Sequence, residues 1–282
     1  MASSERGDLE KLHSAEIRLL QKVLEISHKY HISYYIIEGS LLGAVRHQGM
    51  IPWDDDIDIG MPRNDYERFL EIAPLELDDD EEIITYQTQR KPIRYFSQLE
   101  TSSVKVQTSA QKKESIRNAW LDIFPLDGMP ENPLIRRWHM ARILLLRVAI
   151  QFSEFDQIVN VQKTGRPFYE KWLIWFRRAT GIGKNWDTRR IMRRMDTLLK
   201  KYEYEGSTYL VNASSDYKLR AVFLKDFFGT GRLYSFERIK VNGPEKYDPV
   251  LTKLYGEYWL LPPENQRNTH FTKVWDDTIS SD

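Results

Sequence analysis

Leu9, Leu12, Ala15, Leu19, Val23 and Ile26 recur at steps of three and four, the spacing of an amphipathic helix that runs to about Tyr30. Residues 32–38 are β-branched and aromatic and read as a strand. Gly39-Ser40 then opens a short helix that ends near Arg46-His47. Residues 56–61 alternate acidic and apolar positions, the period of a half-buried strand. A helix restarts over residues 62–65, where Asn64 and Glu67 have capping-box spacing and Tyr66, Phe69, Leu70 and Ala73 form an apolar face. Short strands are expected over 83–86, 95–99 and 104–106, and another over 119–124, closed by Pro125. The acidic run 78–82 reads as a solvated loop. Helical patterning dominates 134–204, and a last helix covers about 249–258, ended by Leu261-Pro262-Pro263. No internal repeat is present. The pattern predicts an α/β (α+β) chain: a mixed sheet flanked by helices, with a mostly helical insertion. Its expected divisions are a core over 1–132, the insertion over 133–201, and a segment over 202–282 that completes the core.

Charge sharpens that division. The chain is neutral overall, but residues 1–132 carry a net charge of −9, residues 133–201 carry +11 and residues 202–282 carry −2. The basic insertion interleaves Arg and Lys with Trp138, Phe152, Phe155, Phe168, Tyr169, Trp172, Trp175, Phe176 and Trp186. The plain account is a helical subdomain whose aromatics form core and whose charges face water. The sharper one is a membrane-surface platform, because basic amphipathic helices bearing Trp sit at the headgroup boundary. Nucleic acid is a poorer partner, since no nucleic-acid motif accompanies the charge. With no cysteine, disulfides and thiol chemistry are excluded. The polar N-terminus is not a signal peptide, and the longest apolar run, 143–150 with Arg147 inside it, is too short to span a bilayer. A cytoplasmic location, peripheral to the inner membrane face, is the expectation.

Candidate chemistry concentrates in residues 38–61. On a strand Asp54, Asp56 and Asp58 share one face, and Ile57, Ile59 and Met61 the other. Carboxylates at i and i+2 lie roughly 7 Å apart at the backbone, so both reach one Mg2+ or Mn2+. A calcium loop is excluded: Ile59 occupies its glycine position and Asp65 its bidentate glutamate position. Gly39-Ser40 opens a helix whose free amides suit a phosphate, although a serine there also serves as a simple cap. Asp122, a lone acid in an apolar strand, is either a satisfied structural group or a third metal-facing carboxylate. Arg46, His47 and Lys105 could contact phosphate or an acceptor, or simply act as surface and helix-end cations. His270 is a weaker candidate still.

The segment Gly-Ser-Leu-Leu-Gly-Ala-Val-Arg-His-x-Gly-x-Ile-Pro-Trp-Asp-Asp-Asp-Ile-Asp-Ile, residues 39–59, resembles the LicD family of phosphocholine transferases, relatives of the fukutin-type ribitol-phosphate transferases. Residues 121–128 are similar to the family's second acidic motif, and Leu254-Tyr255-Gly256-Glu257-Tyr258 with Pro262-Pro263 to its C-terminal segment. The resemblance covers about residues 10–128 and 235–270 and leaves the basic middle unassigned. It implies a nucleotidyltransferase-like fold, with Asp56, Asp58 and Asp122 as catalytic and metal-binding acids and Asp54 in the same cluster. Glu38, Gly39, Ser40, Arg46, His47, Trp53 and Lys105 are the substrate-binding candidates. It further implies transfer of phosphocholine from CDP-choline to a hydroxyl of a hexosamine such as GalNAc. The acceptor would belong to a bacterial surface glycan, a teichoic acid precursor or lipopolysaccharide, in lipid-linked form among others, and CMP would leave. Asp122 is then a candidate to receive the hydroxyl proton. Choline should be met by an aromatic box, for which Trp53 and Tyr34 are candidates. Four alternatives stay open: another CDP-alcohol, such as ribitol or glycerol phosphate; a metal-dependent glycosyltransferase using Asp-x-Asp; nucleotidyl transfer proper, releasing pyrophosphate from an NTP; and a glycan- or nucleotide-binding module without catalysis.

Overall fold

The strand β2 (Asp58–Pro62) lies parallel to β5 (Ser115–Met129), with Asp58 opposite Asp122. This pairing is the centre of the fold seen in the computed structural model, which describes residues 3–89, 92–108, 115–155, 168–263, 267 and 271–276. The main sheet continues outward from it in the order β1 (Tyr35–Ile36), β2, β5, β4 (Ser97–Thr108), β10 (Phe271–Asp276). A short strand β3 (Glu81–Ile84) pairs with β4, while β6 (Tyr209–Asn212) pairs with β5 and β7 (Val222–Leu224) with β6. All these pairings except β2–β5 are antiparallel. A separate hairpin, β8 (Arg232–Phe236) and β9 (Ile239–Gly243), stands apart as a second sheet. The helices are α1 (Ser3–Tyr30), α2 (Glu38–Arg46), α3 (Arg63–Ile72), α4 (Pro133–Ser153), α5 (Phe168–Thr180), α6 (Thr188–Leu199) and α7 (Tyr247–Tyr255). The mixed α/β class and the helical middle are as expected from the sequence.

Several boundaries move, each for a local reason. The strand expected over 32–38 shrinks to Tyr35–Ile36, and α2 begins one residue early, at Glu38. The two strands expected over 95–106 are one strand, β4, whose pairing with β5 shifts between Thr101 and Lys105. Pro125 does not close β5. The Asp122 N–H donates to Ile57 on the β2 side, so three residues on Pro125 faces the opposite edge. There β4 has ended at Ser97, opposite Ile123, and β6 begins only opposite Leu126, so no neighbour needs the missing N–H. No capping box forms on α3: its cap is Pro62, and the Asn64 amide donates to Glu205. The acidic run 78–82 is partly ordered, with Lys22 2.9 Å from Asp78 and the Thr101 hydroxyl donating to Asp80.

The apolar core falls into three parts. The largest joins α1, α2, α3 and α7 to the sheet and the β8–β9 hairpin. A second places Met140, Ile143 and Ile150 of α4 and Ile191, Met192 and Met195 of α6 against Tyr86, Tyr95 and Met129. A third lies under the start of α1, where Leu9, Leu12 and Ala15 meet Val104, Val106, Trp120 and Val274. Where the helical block meets the sheet, Arg63 donates to both oxygens of Asp127 at 2.7 Å. It also reaches Asp196 of α6, at 3.3 Å, and the Tyr95 hydroxyl, which itself donates to Asp196 at 2.6 Å. Arg63 and Asp127 are both buried. Removing one partner leaves the other charge desolvated, which typically costs about 3–5 kcal/mol. Arg63→Ala should therefore lower the unfolding free energy by about that amount. Urea denaturation checks this, and a loss under about 1 kcal/mol would show that the pair does not hold the block in place.

Candidate active site

The acids assemble because backbone pairing leaves them no alternative. Ile57, Ile59 and Met61 are fully buried in the core, so alternation turns Asp56 and Asp58 to the other side. Asp58 follows from the strand directly, and the parallel register sets Asp122 beside it. Asp56 sits in the stretch leading into β2, which starts two residues later than the sequence pattern suggested. One carboxylate oxygen each from Asp56, Asp58 and Asp122 lie within 4.8 Å of one another. A second such group, Asp54, Asp55 and Asp56, shares Asp56 with the first. Buried carboxylates this close repel unless a cation or protons intervene, so this donor set fits a hard divalent cation.

Burial pushes the carboxyls of Asp56 and Asp58 well above the ordinary range, and the neighbouring aspartates push them further. Asp122 is raised too, mainly by burial, with Arg94, Gln98 and Arg117 pulling the other way. The Gln98 amide donates to Asp122, while its carbonyl accepts from Arg117 at 3.0 Å and Arg94 at 3.3 Å. Those two arginines thereby fix which end of Gln98 faces the acid.

Above the acids opens a cleft of about 520 Å³. Glu38, Gly39, Arg46, Trp53, Asp54, Asp56 and Asp58 of the expected site all line it. Ser40 lies beneath: it is buried, and its Oγ accepts the Asp58 N–H at 2.8 Å, tying α2 to β2. Gly39 leaves room for the Asp54 carboxylate, which a Cβ would crowd at 2.8 Å. Gly43 is required by crowding, since a Cβ would stand 2.4 Å from the Gly49 carbonyl. Arg46 donates to the Tyr258 carbonyl at 2.8 Å. His47 is not among the cleft residues and stands edge-on to Trp53, with ring centres 5.9 Å apart. Lys105 is not brought to the site either: its Nζ donates to Asn118 on the neighbouring strand. Tyr34 also lies elsewhere, with its hydroxyl accepting the Asn242 N–H in β9. Trp53 is present, but the Arg267 guanidinium lies 4.7 Å from its ring centre. His270 lies outside the described residues.

Other members were not foreseen. Glu16 of α1 is fully buried, and neither of its oxygens has a hydrogen-bond partner among the described residues. Burial raises its carboxyl well above the ordinary range, and Asp56, Asp55, Asp54 and Asp122 add to the rise. The signal was available: the steps 9, 12, 16, 19, 23 and 26 follow the helical stripe more regularly than the same series through Ala15. On the same helix, His13 Nε2 lies 2.8 Å from the Asp54 carbonyl oxygen. Glu38 has φ +50°, a conformation that costs a non-glycine residue energy and tends to occur at functional sites. It is held by the Asn212 amide, which donates at 2.8 Å, and burial raises its pKa to about 7. Asp216, Tyr217, Tyr255, Glu257 and Tyr258 complete the cleft wall.

Acids paired across two parallel strands beside the first turn of a helix, on a mixed α/β sheet, fit a nucleotidyltransferase-like domain. Residues 31–137 match the model of the LicD/FKTN/FKRP nucleotidyltransferase domain, so the chain carries a nucleotidyltransferase domain of the LicD family. It is 26% identical over 262 residues to the lipopolysaccharide cholinephosphotransferase LicD of Haemophilus influenzae, covering 90% of this chain and 92% of that one. Over 57 residues it is 49% identical to an uncharacterized protein of Rickettsia typhi, and 47% to one of Rickettsia prowazekii. Each of those matches covers 20% of this chain, and 18% and 21% of the respective relative.

The raised carboxyls have a thermodynamic sign. A folded acid with a raised pKa binds more protons than the unfolded chain, so stability falls as pH rises from about 4 through the folded pKa. Metal-free protein should therefore melt lower at pH 8 than at pH 6, and Mg2+ or Mn2+ should restore the loss. Asp58→Asn should raise the metal-free melting temperature at pH 8 and abolish the response to metal. Thermal melts with and without EDTA check both points. A metal-insensitive wild type would refute the cation site.

Proposed function

We propose that this enzyme transfers phosphocholine from CDP-choline to a sugar hydroxyl of a bacterial surface glycan and releases CMP. The carrying observation is the buried acid cluster under the cleft, in a chain similar along nearly its whole length to a lipopolysaccharide cholinephosphotransferase. A hexosamine such as GalNAc, in lipopolysaccharide or a teichoic acid precursor, is the acceptor class this reading adopts. Asp56, Asp58 and Asp122 would hold the divalent cation, Mg2+ or Mn2+, with Asp54 beside them. When bound, it supplies charge neutralisation for the diphosphate and the departing CMP.

The protein's own groups do the rest. Arg46 and the first-turn amides of α2 orient the donor diphosphate. The acceptor oxygen attacks the phosphorus of the phosphocholine unit; a new P–O bond forms and the P–O bond to CMP breaks. Asp122 is packed against Gln98 and does not line the cleft, so Glu38 is the better acceptor for the hydroxyl proton. It lies in the cleft, and its pKa of about 7 suits a general base at neutral pH.

Acceptor-dependent CMP release from CDP-choline should vanish in Asp56→Asn. In wild type the rate should fall below about pH 7, where Glu38 protonates. Glu38→Gln should lose that limb and about 10²–10⁴-fold in kcat. CMP release only from CDP-ribitol or CDP-glycerol would change the donor and keep the site. No turnover of any nucleotide donor would overturn the enzyme reading.

A lipid-linked acceptor requires a surface to meet it on. The basic helical block exposes Trp138, Phe168, Trp172, Trp175 and Trp186, with Phe168 83% exposed. Among the described residues no helix is long and apolar enough to cross a membrane; in this reading the block rests on the cytoplasmic face as a peripheral platform through its basic, Trp-bearing surface. The protein should co-sediment with vesicles containing anionic lipid, and less so in high salt. Equal recovery with neutral vesicles would refute the platform.

A further inference from the structure

The end of the cleft nearest α7 has a chemistry that the phosphate-transfer site does not need. Tyr217, in the loop between β6 and β7, and Tyr255, the last residue of α7, bring their rings to 5.2 Å at an interplanar angle of 71°. Their edge-to-face packing sets the two rings as a corner, with the hydroxyls close to one another. Gly256, at φ +72°, reverses the chain so that Tyr258 folds back with its N–H on the Gly256 carbonyl. The Tyr258 hydroxyl is anchored on Asp248 at 2.7 Å and its carbonyl takes Arg46, so this wall is rigid as well. Asp216 and Glu257 flank the tyrosines on the cleft lining. Counting the metal-side acids, the lining carries six carboxyl side chains and one basic side chain, Arg46.

Two ligand parts could occupy such a corner. A planar nucleobase needs one ring face lying parallel to it, with polar edges met by donors and acceptors. A quaternary ammonium is nearly spherical, has no N–H to give, and is held by several π faces at steep angles within a negative field. Perpendicular rings flanked by carboxylates match the second. Trp53 is a poorer wall, because Arg267 already stands over its ring.

We infer that Tyr217, Tyr255 and Tyr258, with Asp216 and Glu257, form the pocket for the trimethylammonium group of the donor. The inference rests on the phosphocholine reading and deepens it. The cage selects choline over alcohols without a cation by charge, and over primary ammonium groups by the number of ring faces. Tyr217 and Tyr255 both lie in the field of Glu38 and Asp58, so the cage opens onto the same chamber as the acids.

Calorimetric affinities for CDP-choline, CDP-ethanolamine and CMP, each with Mg2+, test it in wild type, Tyr217→Leu and Tyr217→Phe. Tyr217→Leu should weaken CDP-choline about tenfold, in keeping with one desolvated cation–π contact. CMP should bind it as it binds wild type, which also shows that the variant is folded. Tyr217→Phe, which keeps the ring, should stay close to wild type. Equal weakening of CMP and CDP-choline would make the corner a base platform and overturn the cage. An unchanged margin between CDP-choline and CMP in Tyr217→Leu would overturn the cage and leave the phosphocholine reading standing. A wild type that binds CMP but gains nothing from the choline group would sink both.

Discussion

The parallel register of β2 against β5 is the constraint from which the rest of the site follows. It places Asp58 and Asp122 side by side in a buried layer, with Asp56 two residues upstream. At an effective dielectric of about 20, two charges no more than 4.8 Å apart would repel by about 3.5 kcal/mol or more. A sheet with a free choice would not gather three such groups, and side-chain packing alone would not hold them. Backbone hydrogen bonds do: Asp122 N–H to the Ile57 carbonyl, and Ile37 N–H to the Asp58 carbonyl. The motif's small residues serve the same end. Ser40 caps the Asp58 N–H, and Gly39 leaves room for Asp54. The site is thus strained electrostatically and rigid mechanically, the combination a cation-loading centre needs.

Rigidity has to be supplied from outside the cluster, and two devices do so. The first is α1, whose His13 meets the Asp54 carbonyl and whose Glu16 lies buried among the acids' field. The second is the Arg63 network. Asp127 lies five residues beyond Asp122 on the same strand, so the two carboxylates face opposite sides of the sheet. On one side charge is left for a cation to neutralise; on the other Arg63 neutralises it permanently and binds α6 through Asp196. One strand therefore carries an aspartate paired with an arginine, Asp127, and an aspartate set in an acid cluster, Asp122.

The sequence carried the site more plainly than the boundaries of the fold. Alternation about Ile57 and Ile59 pointed to the acids that cluster beneath the cleft, because period-two burial survives in any sheet. The lone Asp122 was legible for the same reason. What pairing decides was not legible. Pro125 reads as a strand end until one knows that β4 has stopped and β6 has not begun. Asn64 and Glu67 have capping spacing, yet Pro62 caps α3 and their side chains turn to Glu205 and Lys200. Lys105 shares no wall with the cleft, since strand identity does not reveal which edge of the sheet a residue occupies. The aromatic wall was hidden for a further reason: 15 tyrosines look alike in sequence. Only a loop after β6 and a reversal at Gly256 bring Tyr217, Tyr255 and Tyr258 together.

The neutral total charge conceals a division of labour. The cleft is acidic and the helical block is basic, and neither would suit the other's task. A basic cleft would bind the donor diphosphate without a metal but would repel both the metal and a quaternary ammonium head. An acidic block would be driven from an anionic lipid surface. Salt bridges between the two regions would cancel the difference; among the described residues Arg63–Asp196, Lys200–Glu67 and Lys218–Glu170 bridge them, and Arg147 of α4 lies in the field of Glu38 and Asp216. The surrounding contacts there are apolar: Met129, Tyr86 and Tyr95 against Ile143, Met192 and Met195. The two regions therefore meet through an apolar contact crossed by a few charge pairs. One chain thus keeps an acidic cleft beside a basic helical block.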